Sequence, residues 1–369
     1  MIGLISPAQL RRLGILGMNQ RNIGYIGTHN PRKHYQLVDN KLKTKAAAQL
    51  QGIPVPELYG VIEHQFQVAK IDRLLAGRDG FAIKPVQGSG GKGILVAVAR
   101  RDHGFVGGSG AEIDLGAIRR HLSNILAGLH SLGGRNDSAM IEALIDFDPY
   151  LKRYSYEGVP DIRVIVYHGV PVMAMIRCAT HASRGKANLH QGAVGVGIDI
   201  GSGRSICAVI HNHIVTQHPD TGAGFQDLQV PQWPQVLDLA ARCAEISGLG
   251  YLGADVVLDR ERGPMLLELN ARPGLAIQVA NQCGLRHRLR EAQCIAQQAA
   301  NHDERIALAR ARFAVAERRL ASAPRESAPQ RSRATSQGGS VHAQTGTGTG
   351  AIQGSERSAE REGPAADRP

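Results

Sequence analysis

Three polar side chains interrupt two apolar runs in the C-terminal half of the chain, Gly253-Ala-Asp255-Val-Val-Leu and Leu266-Leu-Glu268-Leu-Asn270. Carboxylates left unpaired in such runs would be costly, so their presence asks for a chemical reason. Glu268 and Asn270 are two apart and share one face of an extended strand. The polar stretch Asp259 to Gly263 predicts a hairpin that brings Asp255 nearly opposite position 267, with Asp255 and Glu268 roughly 5 to 8 Å apart across the ladder. Two carboxylates and an amide oxygen on one face are hard oxygen ligands suited to magnesium, above all where phosphates complete the shell. A buried ion pair of Glu268 with Arg163 or Arg272 is the structural alternative.

A second segment points to an anion. In Phe81-Ala-Ile-Lys84-Pro-Val-Gln-Gly88-Ser89-Gly90-Gly91-Lys92-Gly93 an apolar strand carries a lysine and runs into a glycine loop. Glycines supply positive φ and let backbone N–H groups approach an anion, while a lysine places a point charge on a phosphate. The match to G-x-G-x-x-G is not a dinucleotide fingerprint, because Ile94 to Val98 reads as strand where a helix is required. The P-loop pattern fails because no Ser or Thr follows Lys92. The kinase pattern fails because H-R-D and D-F-G are missing. A hairpin flap over phosphates remains, with a merely flexible glycine hairpin as the plain alternative.

The third segment holds Asp161-Ile-Arg163, whose polar residues alternate with apolar neighbours, and the donor-rich loop from Arg184 through Lys186, Asn188 and His190 to Gly197. Lys186 and Asn188 suit a γ-phosphate or an acyl phosphate; Arg163 alone serves a structural pairing equally well.

The elements that must position these residues can be read in outline. Residues 41–52 read as a helix closed by Gly52, and Pro234 to Ser247 as an amphipathic helix closed by Gly248. Hairpins are predicted around His168-Gly169, around His211-Asn212 and around Asp259 to Gly263. His211 and His213 are assigned to the second hairpin's tip rather than to a metal. Mixed strands and helices with many antiparallel hairpins predict an α+β fold, not a doubly wound parallel sheet. The expected organisation is a short capping segment over 1–40, a catalytic unit over 41–290, a basic helix over 291–320 and a disordered tail over 321–369. The tail has almost no large apolar residue with which to offset its ordering entropy.

The 369 residues carry a formal charge of +11. Few aromatics and no nucleic-acid-binding motif accompany it, so the arginines between 286 and 319 are read as a solvated helix face or a surface for an anionic partner. Five cysteines without a C-x-x-C pair read as reduced thiols. With no run long and apolar enough to span a bilayer and no secretory signal, a cytoplasmic location is expected.

In the order of these motifs the chain resembles ATP-grasp ligases of the RimK-like glutamate-ligase branch. The resemblance runs from about Asn22 to Arg288: Asp39-Asn-Lys41 before a helix and Gly-Ile-Pro-Val-Pro, Ile83-Lys84-Pro with the glycine flap, Ile141-Glu142, Asp161-Ile-Arg163, Asn188-Leu-His190, Asp255, and Glu268-Leu-Asn270-Ala-Arg272-Pro-Gly. It implies an ATP-grasp fold in which two α+β subdomains clamp ATP. Lys41, Lys84 and the flap residues Gly88, Ser89, Gly90 and Gly91 would contact its phosphates. Glu142, Ala143 and Leu144 would form the hinge against adenine and ribose. Asp161, Lys186 and Asn188 would line the nucleotide and intermediate site. Asp255, Glu268 and Asn270 would hold Mg²⁺, with Mn²⁺ as a substitute, and Arg163, Lys186 and Arg272 would be the catalytic cations. The implied reaction joins a small carboxylate, such as an amino acid, to an amine acceptor through an acyl phosphate, with neither nucleic acid nor a membrane span involved. An ATP-grasp enzyme acting on a sugar or envelope precursor is the first alternative, and a non-catalytic ATP-binding scaffold the second. Only about forty residues precede Lys41, fewer than in the family's ligases, which leaves the acceptor open; no residue here specifies glutamate, and no feature fixes the oligomeric state.

Overall fold

The two-residue turns predicted between strands close with positive φ at both positions, His168 and Gly169 in one, His211 and Asn212 in the other. That is the backbone twist a tight hairpin requires. The computed structural model of the chain describes residues 6–88 and 90–315. The expected tail, the last residues of the expected basic helix and Ser89 lie outside them.

Two sheets carry the architecture. The smaller contains β1 (Leu58–Ile62), β2 (Phe81–Pro85), β3 (Leu95–Arg101), β4 (Gly104–Gly107), β5 (Glu112–Ile113) and β6 (Ala139–Glu142), in the order β1-β6-β2-β3-β4-β5. The larger contains β7 (Asp161–Tyr167), β8 (Val170–Cys178), β9 (Val194–Ile198), β10 (Ser205–Ile210), β11 (His213–Val215), β12 (Tyr251–Asp259) and β13 (Gly263–Asn270), in the order β11-β10-β9-β8-β7-β12-β13. The pairings among these strands are antiparallel, as an α+β fold built from hairpins demands.

Each sheet has its own core. Under the smaller one, α2 (Leu115–Leu126) buries Ile118, Leu122 and Ile125 against Phe81, Ile83, Phe105 and Ile141; the spacing of four and three makes one apolar helix face. Ahead of it α1 (Lys41–Leu50) starts at Asn40, whose side chain accepts from the Lys43 N–H and caps the helix. On the larger sheet α3 (Trp233–Ser247), opened by Pro234 and closed by Gly248 at φ 64°, packs against β7, β12 and β13. A single turn, α4 (Ile277–Ala280), follows the site loop and packs on β8, β9 and β10.

The expected single basic helix is two helices, α5 (Leu285–Gln298) and α6 (His302–Phe313), with Asn301 capping the second by accepting from the Glu304 N–H. Several arginines there are not a free solvated face. Arg288 donates to the carbonyls of Val172 in β8 and Phe313 at the end of α6, and Arg310 donates to Gly201 O in the turn after β9, so they tie the helices to the larger sheet, its turn and each other. The N-terminal segment lies along the larger sheet. Leu16 N donates to Gln278 Oε1 (2.8 Å), Asn30 Oδ1 accepts from Tyr251 N (2.8 Å), and Arg286 N donates to Gly14 O (3.0 Å).

Candidate active site

Lys41 is the first residue of α1 and Lys45 lies one turn later on the same side. Across from them, Lys84 of β2 and Glu142 of β6 share a sheet face, offset by two residues, because Ala82 pairs with Glu142 and Lys84 with Met140. Glu142 is 2 % exposed and divides its carboxylate between two lysines, Oε1 to Lys45 Nζ at 2.5 Å and Oε2 to Lys84 Nζ at 2.6 Å. Lys45 also donates to the Pro56 carbonyl. Burial alone would push the Glu142 carboxyl up, but the two ammonium groups outweigh it and hold the carboxyl below its ordinary value. Burial pulls the Lys45 ammonium down, a shift its pairing with Glu142 partly offsets.

These side chains wall a cavity shared with Glu268 of β13 and with Val38, Val55, Ile94, Met140 and Leu267. It is an apolar slot with three ammonium groups at its wall. Lys41 Nζ donates to Gly88 O (2.6 Å) and stands 3.6 Å from Glu268, so it joins α1, the glycine loop and the far sheet.

The glycine loop is pinned at both ends. Gly88 bridges to Ser131, while Asp137 accepts from Gln87 N, Ser131 Oγ and Ser138 N. His121 Nε2 reaches Gly93 O at 2.9 Å and, since a carbonyl only accepts, donates to it. Between these ends Gly90 and Gly91 have φ of 65° and 71°, a region that L side chains avoid. A methyl carbon at Gly90 would lie 3.9 Å from Asn188 Nδ2, and one at Gly91 3.9 Å from Lys186 Cδ. The loop therefore sits on the predicted donor pair.

The carboxylate end rests on two β-bulges. Counting back from the β12–β13 turn sets Asp255 opposite 267, but Leu267 is an extra residue, and Asp255 pairs with Glu268 and Gly253 with Asn270. A second bulge after Pro171 sets Asp161 opposite Arg177 and Arg163 opposite Met175. Asp255 is fully buried and chelated by Arg163, Nε to Oδ1 at 2.7 Å and Nη2 to Oδ2 at 2.6 Å. Arg177 Nη2 adds a bond to Oδ2 (2.7 Å) and grips Asp161 with Nε at 2.5 Å and Nη2 at 2.7 Å. The result is two acids and two arginines with no net charge. Burial would raise both carboxyls. At Asp255 the two guanidinium groups prevail and hold it at about 2, whereas at Asp161 burial prevails over Arg177 and lifts it to about 6.

The structural alternative paired Glu268 with Arg163 or Arg272; the structure gives Arg163 to Asp255 and stacks Arg272 on Tyr35. Glu268 keeps only the loose Lys41 pair among the described residues. Asn270 Nδ2 donates to Asp255 Oδ2 at 3.2 Å, which leaves the Asn270 amide oxygen without a donor there. Asp255 Oδ1 accepts one bond and retains a lone pair. These three side chains on facing strands carry oxygen atoms of the kind a hard divalent cation takes.

The sequence-predicted residues thus divide. Lys41, Lys84, Glu142 and Glu268 meet at one cavity; Gly90 and Gly91 lie against Lys186 and Asn188; Asp161, Arg163, Asp255 and Asn270 form one buried network. Three expected participants stand apart. Ala143 N donates to Glu57 O (2.9 Å), the Leu144 side chain packs on Gly80, and neither lines the cavity. Arg272 stacks on Tyr35, its guanidinium carbon 4.7 Å from the ring centroid. Sequence reasoning missed Lys45 and Arg177. Spacing of four from Lys41 was available for the first, but the bulge that aligns the second was not.

An antiparallel glycine-loop sheet and a second sheet bearing the acidic strand pair, with lysines between them, make up the ATP-grasp fold. The chain belongs to the family described as sugar-transfer associated ATP-grasp, whose model matches residues 20–293. The RimK-like branch is not confirmed by that match. Among solved structures, the ATP-grasp ligase PsnB complexed with minimal precursor is 15% identical, with a TM-score of 0.40, 73% of this chain and 63% of that chain covered. D-cycloserine synthetase DcsG is 14% identical, with a TM-score of 0.43 and coverage of 73% and 72%. D-alanine–D-alanine ligase from Bacillus anthracis is 12% identical, with a TM-score of 0.38 and coverage of 76% and 68%. The chain thus spans less than two thirds of PsnB's length. No curated protein matches the chain. No helix among the described residues is long and apolar enough to cross a membrane.

Proposed function

We propose that the chain is an ATP- and magnesium-dependent ligase that activates a carboxylate for attack by an amine. The observation that carries this reading is the cavity between the two sheets, where Lys41, Lys45 and Lys84 face Glu268 across an apolar slot. The slot takes the base, and Lys41 and Lys84 take phosphate oxygens with the backbone of the glycine loop. Lys186 and Asn188, under that loop, donate to the transferring phosphoryl group. Asp255, Glu268 and Asn270 hold Mg²⁺, which when bound neutralises charge on the phosphate oxygens. Arg163 and Arg177 keep Asp255 ionised and aimed at Glu268. Asp161 contributes through Arg177 rather than by touching nucleotide. Arg272, exposed on Tyr35, is the candidate grip for a substrate carboxylate.

In the reaction, a carboxylate oxygen attacks the γ-phosphorus, ADP leaves, and an acyl phosphate forms. An amine then attacks the acyl carbon, and phosphate leaves as the amide is made. An amino acid, glutamate among them, is the acid this reading favours. A second reading has support in the family's description: the same nucleotide site serving transfer to, or modification of, a sugar or envelope precursor.

Equilibrium binding of MgATP tests the shared step. Lys84→Met should weaken it about tenfold or more, since a hydrogen bond to a charged group is worth ~1.5–3 kcal/mol. Unchanged affinity would remove the nucleotide from this cavity.

A further inference from the structure

The three lysines of the cavity are graded in burial. The Lys45 side chain is 6% exposed, Lys84 13% and Lys41 18%. Lys45 is the innermost, and its ammonium is committed to Glu142 and to the Pro56 carbonyl. It is therefore badly placed to serve a phosphate. Lys84 sits nearer the open side but is held by the same carboxylate. A lysine that must reach a phosphate has to leave Glu142. Stripping a buried carboxylate of its only cation is strongly unfavourable, because the charge left behind has neither water nor partner. Glu142 has two cations, one on each oxygen, so one can go while the other stays.

We propose that Lys45 is the standing counter-ion of Glu142, and that its presence releases Lys84 from the ion pair to bind a nucleotide phosphate. The inference rests on the nucleotide reading above and deepens it. Lys45 is a positioning residue: it acts on the phosphate only through Glu142 and Lys84. Geometry assigns the roles, since Lys45 is the more buried of the two and is tied as well to the Pro56 carbonyl, whereas Lys84 is the more exposed and, among the described residues, pairs with Glu142 alone.

The test is calorimetric titration of MgATP into the full chain carrying Lys45→Met, Glu142→Gln or both, with thermal unfolding recorded for each. Without Lys45, Lys84 should stay locked on Glu142, and MgATP affinity should fall about tenfold or more. Neutralising Glu142 removes the lock. The double variant should then bind within about threefold of Glu142→Gln alone, a difference of under 0.7 kcal/mol. This second comparison stands even where Lys45→Met alone does not fold, because the double variant buries no unpaired carboxylate. Equal affinity of wild type and Lys45→Met would overturn the inference, and so would a double variant far weaker than Glu142→Gln, which would make Lys45 a direct contact or a support for α1. A wild-type chain that binds no MgATP would instead refute the nucleotide reading itself.

Discussion

With Arg163, Arg177 and Asn270 all engaged by Asp255, the two acids of the candidate metal site stop being equivalent. Glu268 is a partly exposed side chain held by one loose ion pair, whereas Asp255 neutralises two buried guanidinium groups. Removal of Glu268 strands no buried charge, whereas removal of Asp255 strands the guanidinium groups of Arg163 and Arg177. Asp255→Ala should destabilise the chain by about 3–5 kcal/mol, the usual cost of stranding buried charge. Glu268→Ala should leave the urea midpoint nearly unchanged and raise the magnesium concentration needed for nucleotide binding. Urea unfolding beside a magnesium titration checks both, and equal stability of the two variants would contradict the assignment.

At the scale of elements, the sequence shows which strands pair but not in what register. The turns His168-Gly169 and Asp259 to Gly263 were legible because turn chemistry is local, and α1 and α3 were legible from their caps. The bulges at Leu267 and after Pro171 were not, because an extra residue in a strand is decided by what the two faces must bury. Each shifts its partner by one position, which is the difference between Arg177 facing Asp161 and facing away. Pro171 was a usable hint, since proline inside a strand marks an edge or a bulge. The N-terminal segment, read as a short capping segment, shows only weak periodicity, yet a chain of side-chain hydrogen bonds fixes it. Tyr167 Oη donates to Gln293 Oε1 (2.8 Å) and so accepts from His29 Nε2 (3.0 Å), leaving His29 Nδ1 to accept from His168 Nε2 (3.2 Å). Burial pushes both imidazoles below their ordinary value, and at His168 the neighbouring His29 and then Arg305 add to the effect. A histidine with a lowered folded value favours the neutral fold, so its contribution is full above about pH 6.5 and is lost as the pH falls below that. Hydrogen exchange in residues 20–30, corrected for intrinsic rates, should accelerate between pH 7 and pH 5, and His29→Phe should flatten that profile. Protection that does not change with pH would contradict the neutral chain.

For the whole molecule, the two sheets bring the lysine helix and Glu268 of the acidic strand pair to one cavity, with the glycine loop joined to it through Lys41 and lying against the donor loop at Lys186. Each segment taken alone admits a plain structural reading, and the proposed nucleotide site rests on their conjunction. Family membership fixes the ATP-grasp fold, and the acceptor is the part that the cleft's own residues leave to experiment. The acid-activating step is the most direct point of attack. Incubation with ATP, magnesium, hydroxylamine and a panel of carboxylates, glutamate first, should release ADP and trap the activated acid as a hydroxamate, with no release when the acid is omitted. A phosphorylated sugar with ADP and no hydroxamate would favour transfer to a precursor, and formation of AMP would contradict γ-phosphoryl transfer altogether.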